Sequence, residues 1–585
     1  LLARAWHEVK EFSGLGREAT YLWPRWLVLR AVGFVFILVF AGIIEEGQAI
    51  VGPAGIAQLD EFFAQLHQLF PSRLDAFLHA PSLFWLNTGA AMITALSWLG
   101  LAAAVALTCN LWPRFALGAC WLIFLSFITT WRAFSPAQLD KLMLEVALIC
   151  LPFAPAGFRP GLGVKTPPRP IAVFMIRWLL FRIMLESGFV KVFSGDPHWR
   201  NFTAMEVMYE TGPFPTLWGY LDHHLPHTYH LFEIALTYIA EFAAPLLAVF
   251  AGRRGRWFAL GAWTLFQAGI QLTNNFGWLN TASIGLGLLL LDDQMIRDAV
   301  TKLRLHRLAA FLSARAQSLP PPPLAPWRLN ALRAGLWLHF GFTLIFFVKS
   351  CGVPLTAMPA VFAWPAQRIN SFYSANAYSL YATFEPVRFQ VEFEGSNDGG
   401  ATWRPYLYRY IPQRVDEISP HIAPWFARFD ATLQIEAWNG RKSPLYSAVA
   451  GHLLARNPAV MARFRADPFA DRPATQIRIR GYELVFTDLA TQRATGHYWK
   501  KTLRGEYLPM MTLDSSGRIA EVNLDEGNAA LRAGNLPAAF AFFEQHYRRG
   551  VLAAGFRVAD MLTRGGGVRP DPARAFAIYT ALARE

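Results

Sequence analysis

The sequence predicts a polytopic α-helical membrane bundle of about nine spans, followed by a β-rich extramembrane domain and a short α-helical repeat tail. Three observations lead there. Of 585 residues, 54% are hydrophobic and only 16% are charged, where a soluble chain averages about 25% charged. The long apolar runs crowd into roughly the first 350 residues, and two later segments alternate apolar and polar residues with the period of a strand. From about residue 523, small residues recur at helix-packing spacing. These features divide the chain into a transmembrane domain over 1–353, a β-sandwich-like α+β domain over 354–515, and helical repeats over 523–585.

A membrane helix needs about 20 mostly apolar residues. Segments 26–44, 84–109, 115–131, 141–157, 171–194, 230–251, 257–273, 276–292 and 334–353 are the candidates. With a cytoplasmic amino terminus, alternation puts Arg4, Lys10, Arg17, Arg25, Arg114, Arg159, Lys165, Arg169, Arg253, Arg254 and Arg256 on the cytoplasmic side. The connection carrying Arg297, Lys302, Arg304, Arg307, Arg315, Arg328 and Arg333 joins them. Arg73, Arg132, Lys141 and Arg200 fall on the other side. This is the positive-inside asymmetry, and it sends residues 354–585 beyond the bilayer. The net charge of +13 is therefore topological; no basic groove with interleaved aromatics points to nucleic acid.

Several spans carry charge: Glu145, Arg177, Arg182, Glu186, Lys191, Glu233 and Glu241. Ionisable groups at membrane depth are costly, so they line cavities or pair inside the bundle. Arg182 and Glu186, four apart, can pair on one helix face. The cysteines, Cys109, Cys120, Cys150 and Cys351, form no CxxC motif and read as small apolar residues. The chain begins at Leu1 rather than Met, so its natural amino terminus is expected upstream.

Residues 195–229 form a polar-aromatic outer loop. His223 and His227 have i,i+4 spacing, a weak metal-site signal, but Pro226 between them opposes a regular helix and no HExxH motif completes a site. Thr211–Gly212–Pro213–Phe214–Pro215 should form a rigid turn, because two prolines fix φ around a glycine.

In the soluble half, residues 387–393 alternate as a half-buried strand should. Asn397–Asp398–Gly399–Gly400 reads as a turn, 403–410 as the partner strand, 447–465 as helix, and 476–486 as a further strand with Gly481 a bulge or bend. Trp403, Tyr406, Tyr408, Trp425 and Trp438 are either core or a client-binding surface; core packing is the ordinary role, and Trp and Tyr also dominate interface hot spots. In the tail, Ala529, Ala530, Gly534, Ala538, Ala539, Gly550, Ala554, Ala559 and Gly565–Gly566–Gly567 resemble Sel1-type repeats, helical pairs of the tetratricopeptide class that bind proteins.

An ordered series of motifs covers roughly residues 20–512. It runs Lys191, Ser194–Gly195–Asp196 with Trp199, Tyr209–Glu210–Thr211 with Pro213 and Pro215, Glu241 with Pro245, and Asn275–Phe276–Gly277 with Asn280. It continues through Ile369–Asn370–Ser371, Glu394–Gly395–Ser396–Asn397–Asp398–Gly399 with Trp403, Ala423–Pro424, and Arg428 with Asp430. Asp467–Pro468–Phe469, Asp471–Arg472–Pro473, Phe486–Thr487–Asp488 and Gly505–Glu506–Tyr507–Leu508–Pro509 complete it. By this series the chain resembles the lipase maturation factor family, as a bacterial-type member. The resemblance implies a membrane-resident factor, needing no cofactor, that helps exported lipases or other secreted proteins to fold or assemble. It singles out Asp196, Trp199, Tyr209, Glu210, Thr211, Pro213 and Pro215 as a functional loop. It also implies client contact through the outer domain, with Trp403, Tyr406, Trp425, Arg428 and Asp430 as candidates. Met208 and Gly212 depart from the family pattern, as do Trp425, Phe426, Ala427 and Ala431; the family's His at the first of these has no counterpart here. The membrane half is also faintly similar to vitamin K-dependent carboxylases, where a lysine precedes a comparable loop.

The Arg-rich, Lys-poor composition suggests a bacterial inner membrane with residues 354–585 periplasmic, the endoplasmic reticulum membrane being the equivalent in animal relatives. An alternative is a membrane enzyme acting on a lipid or quinone-like substrate, with Lys191, Glu186 or Glu210 as acid–base groups. The lack of a GxSxG nucleophile elbow argues against a lipase.

Overall fold

The computed structural model describes residues 2–14, 19–131, 134, 138–316, 324–438, 440–513, 519–522, 524–549 and 551–584. Arg17, Arg132, Gly550 and the expected boundary residues 515 and 523 lie outside these.

Among the described residues, five helices are long and apolar enough to cross a membrane: Leu22–Val51, Ala90–Thr108, Pro113–Thr130, His227–Phe250 and Pro326–Ser350, with Trp278–Leu290 a shorter apolar helix. The sequence reading expects nine, and each of the other predicted segments is helical but falls short on length, charge or mean hydropathy. Gln138–Cys150 has 13 residues. Pro170–Phe193 carries Arg177, Arg182, Glu186 and Lys191. Gly252–Thr273 is long enough, but Arg256, Gln267 and Gln271 dilute its apolar run. The second predicted segment is also shorter than expected, because a 3-10 turn at Leu83–Trp85 precedes the helix that starts at Ala90.

The longest helix, Leu22–Val51, measures about 45 Å at 1.5 Å per residue and ties the two ends of the molecule together. At its start, the backbone amides of Leu22 and Trp23 donate to Asp293, and Arg25 donates to the carbonyls of Leu162, Gly163 and Thr166. These partners belong to the loops rich in basic residues. At its other end, Glu45 and Glu46 meet the sheet domain.

That domain is built on one antiparallel sheet: β1 (Arg388–Ser396), β2 (Arg404–Tyr406), β3 (Gln476–Phe486), β4 (Trp499–Leu513) and β5 (Ile519–Glu521), in the order β2-β1-β3-β4-β5. A sandwich had been expected. The described strands instead form a single sheet, with the Arg428–Ala437 helix packed on β1 and the Pro444–Leu454 helix on β3 and β4. Period-two alternation reports that a face is covered, not whether a sheet or a helix covers it. Gly481 falls at a register shift between β3 and β4, as its position suggested, and a Cβ there would run into the Phe389 ring. The predicted 403–410 strand shortens to three residues, and the predicted 447–465 helix becomes Pro444–Leu454 and Pro458–Met461.

The apolar core does not stop at the boundary between the halves. One cluster runs from Val28 and Phe36 through Phe134 and Trp278 to Phe429, Phe393 and Tyr406. Phe134 stacks with Phe429, and Trp278 meets Phe426 edge-on, with ring centres 5.6 Å apart. The tail, Asp525–Arg532, Leu536–Arg548, Leu552–Arg564 and Pro572–Arg584, forms consecutive packed helices whose own cluster includes Met510 of β4.

Candidate functional site

The residues singled out from the sequence converge on the seam between helices and sheet. Asp196 caps the short Pro197–Arg200 helix by accepting from the amides of His198 and Trp199, and its second oxygen accepts from the amide of Phe384, 3.0 Å away. Trp199 donates its indole N–H to the carbonyl of Tyr381. Tyr209 donates to Glu233 at 2.5 Å. Glu210 accepts from the amide of Phe486 on β3 at 2.8 Å. Burial raises the Glu210 carboxyl above its ordinary range, with that backbone bond pulling the other way. The carbonyl of Thr211 accepts from the Trp438 indole. The carbonyls of Gly212 and Pro213 accept from Arg388 of β1. Pro215 bridges to Asn274 and accepts from the amide of Ser419. The rigid turn is thus a row of fixed carbonyls on which the sheet domain sits.

Arg388, Gln390 and Glu392 correct a simple reading of β1. A half-buried strand would leave its polar side chains to solvent, yet all three are buried. Their face lies against the 212–213 turn and the 412–413 loop, so Arg388 bonds the turn and Gln390 the carbonyl of Pro412. Burial lowers the Arg388 guanidinium to about 9, partly offset by Glu210.

A second fastening surrounds Arg428. It donates to both oxygens of Asp140, at 2.6 and 2.7 Å, and to the carbonyl of Phe134, with Trp131 beneath its plane. The amides of Arg428 and Phe429 point at Glu46. A bidentate pair of this kind fixes direction as well as distance. A third lies deeper. Arg182 bonds Glu145 and Glu186, while the connector after the last long helix supplies Asn376 and Tyr378, whose amides donate to Glu145 and Glu186 respectively. The Tyr378 hydroxyl also donates to Glu145. Lys191 bonds Glu241 at 2.7 Å and the carbonyl of Leu380 at 2.9 Å.

The other candidates are placed differently. Tyr406 and Tyr408 are buried against Phe464, so they are core. Asp430 is buried and accepts from the amide of Tyr410, and Arg428 is committed to Asp140. Trp403 is half-buried, with Arg478 over its ring, and packs against the tail. Trp425 is half-buried and packs on the central core. His223 and His227 sit in different helices, separated at Pro226. Both turn to Glu206, His223 to its carbonyl and His227 to its carboxylate, and burial pushes His223 down to about 4. No group of three or more potential metal ligands occurs among the described residues.

Two cavities adjoin the seam, of about 500 and 350 Å³. Lys191 lines the smaller and Glu241 the larger, whereas Glu186 and Glu210 line neither. The three acid–base candidates therefore do not share a site, and the enzyme reading gains nothing from the geometry. Sequence reasoning missed Arg388, Asn376 and Tyr378. It quoted Asn275 without seeing its task, which is to accept from the amides of Ile422 and Ala423 and donate to Pro420.

Fold and site together define an integral membrane protein with a sheet domain fastened to one end of its helical half by buried ion pairs and backbone hydrogen bonds. Family models for the lipase maturation factor transmembrane domain and the lipase maturation factor C-terminal domain match residues 23–298 and 374–509. Lipase maturation factor 2 of Rattus norvegicus is 31% identical, over 84% of this chain and 83% of the relative. Lipase maturation factor 1 of Homo sapiens is 24% identical, over 85% and 89%. Lipase maturation factor 2 of Gallus gallus is 25% identical, over 84% and 81%. No solved structure matches. The chain belongs to the lipase maturation factor family.

Proposed function

We propose that this chain is a membrane-resident maturation factor, or chaperone, for exported lipases and other secreted proteins. Membership of the family supports the lipase client. The observation that carries the mechanism is the triple fastening at Arg388, Arg428 and Tyr378, which makes the sheet domain a rigid platform continuous with the helical half. A platform of this kind holds a newly translocated chain beside the bilayer without requiring chemistry. In this reading all nine helices cross the membrane, the basic loops are cytoplasmic, and residues 354–585 face the periplasm of a bacterium or the equivalent lumen of an animal cell. The 196–215 loop keys the platform in place. The Sel1-like tail presents exposed Phe556, Phe576 and Tyr579 to partner proteins.

The test is to delete the gene and measure the specific activity, not the amount, of each exported lipase. A fall restored by the wild-type chain and not by Phe556→Ser/Phe576→Ser supports the reading. Unchanged specific activity for every exported lipase rejects the lipase client.

A further inference from the structure

The larger cavity is roofed by residues 379–385 of the connector and by Phe426 and Trp438 of the outer domain, and floored by Ile183, Leu279 and Ile270 of the helices. At about 500 Å³ it falls within the range of about 300–1,000 Å³ typical of small-molecule sites. It shares Met208, Phe266, Ile270 and Tyr381 with the smaller cavity. The smaller one is bounded by Phe232, Leu236, Ile239, Leu265 and Leu272, whose side chains are exposed on the apolar outside of the helical half. The Lys191–Glu241 pair stands in the wall between the two.

Glu241 is placed there by a local departure from the α-helix. Pro245 has no N–H and its ring crowds the carbonyl four residues back, which is that of Glu241. The helix widens over Ile239–Ala243 into a π turn, with the Ala244 amide donating to Ile239. Such bulges recur at functional sites. Glu241 is buried, and its Oε2 has no hydrogen-bond partner among the described residues. Neither has Oδ1 of buried Asn280, nor the Tyr381 hydroxyl, and all three residues line the larger cavity. Tyr381 is held at φ 53°, a conformation unusual for a residue with a side chain, between bonds to its own carbonyl and that of Leu380. Buried polar atoms left without partners mark a place where something else supplies them.

We infer that this cavity binds a neutral, hydroxyl-bearing lipid of the monoacylglycerol class, entering from the bilayer through the smaller compartment. Glu241 Oε2 and Asn280 Oδ1 are two acceptors, matching two glycerol hydroxyls; the Tyr381 hydroxyl donates to the ester carbonyl; the acyl chain fills the apolar walls. The Lys191–Glu241 pair carries no net charge, so a neutral headgroup fits it better than an anion. The site stands independently of the lipase reading, since none of these residues is asked to touch a client.

The full chain, purified in detergent, is titrated with 1-monooleoylglycerol, with oleate and with dioleoylphosphatidylcholine, following Tm by tryptophan fluorescence and adduct mass by native mass spectrometry. A saturable Tm rise with a single monooleoylglycerol adduct, at least tenfold tighter than oleate or dioleoylphosphatidylcholine, is expected. Leu279→Trp or Ala382→Trp, each filling the cavity with apolar bulk, should abolish the adduct while leaving the unliganded Tm within a few degrees. Asn280→Leu should weaken binding about tenfold. No wild-type adduct, equal or tighter binding of oleate or the phospholipid, or undiminished binding by whichever filled variant folds overturns the inference.

Discussion

Buried charge at the seam sets the behaviour of single residues. Arg428 and Asp140 are both buried, so removing one strands the other without water. Arg428→Ala should cost about 3–5 kcal/mol in the sheet-domain unfolding transition, whereas the double change Arg428→Met/Asp140→Leu should recover most of it; chemical denaturation followed by tryptophan emission decides. Asp430 makes stability depend on pH. Burial raises its carboxyl to about 7, from an unfolded value near 3.9. Between these values the folded state holds the extra proton, so stability falls as pH rises through that window, by up to about 1.4 kcal/mol per pH unit. Asp430→Asn keeps an acceptor for the Tyr410 amide and should flatten that slope; an unchanged pH profile would remove Asp430 as the cause. The sequence disclosed which residues carried charge in apolar surroundings, and paired Arg182 with Glu186 correctly. It could not disclose that Glu145 and Glu186 accept backbone amides of the connector, because those partners lie 231 and 192 residues away.

At the scale of elements, small residues decide how closely helices approach. Leu22–Val51 lies against Ala90–Thr108, where a Cβ on Gly33 would meet Thr108 and one on Gly100 would meet the Phe40 ring. Close backbone approach at small residues is how helices associate in lipid, where no hydrophobic drive separates protein from solvent. Gly100→Leu should therefore overpack this pair and cost about 1–3 kcal/mol, read as a lower Tm of the detergent-solubilised protein; a Tm equal to wild type would show that the two helices tolerate separation. Elements were legible where a local pattern dictates them. The apolar runs gave helices, Pro226 gave the break between two of them, and Gly481 gave the bulge. The single sheet was illegible, since its covering helices, Arg428–Ala437 and Pro444–Leu454, carry no mark of the face they cover. The burial of β1's polar face was illegible for the same reason: Arg388, Gln390 and Glu392 look like solvent residues until the 212–213 turn and the 412–413 loop are laid over them.

For the whole molecule, the orientation of the helices is the testable quantity. If only the five long apolar helices crossed, the stretch from 131 to 226 would lie wholly outside; with nine crossings, Lys165 is cytoplasmic. In a Cys351→Ser/Cys109→Ser background, Lys165→Cys should resist a membrane-impermeant maleimide in intact cells and react after lysis, while His227→Cys should react in both. Reaction of Lys165→Cys in intact cells would reduce the count. A last consequence follows from the connector, which passes Asn376, Tyr378, Leu380 and Phe384 through the helical half before β1 begins. A protease site inserted at exposed Gly352 would cut the peptide chain but not the molecule. The two fragments should migrate as one band on a native gel and separate only in denaturant, because the contacts of the connector and of Arg428, not the peptide link at Gly352, hold the halves together.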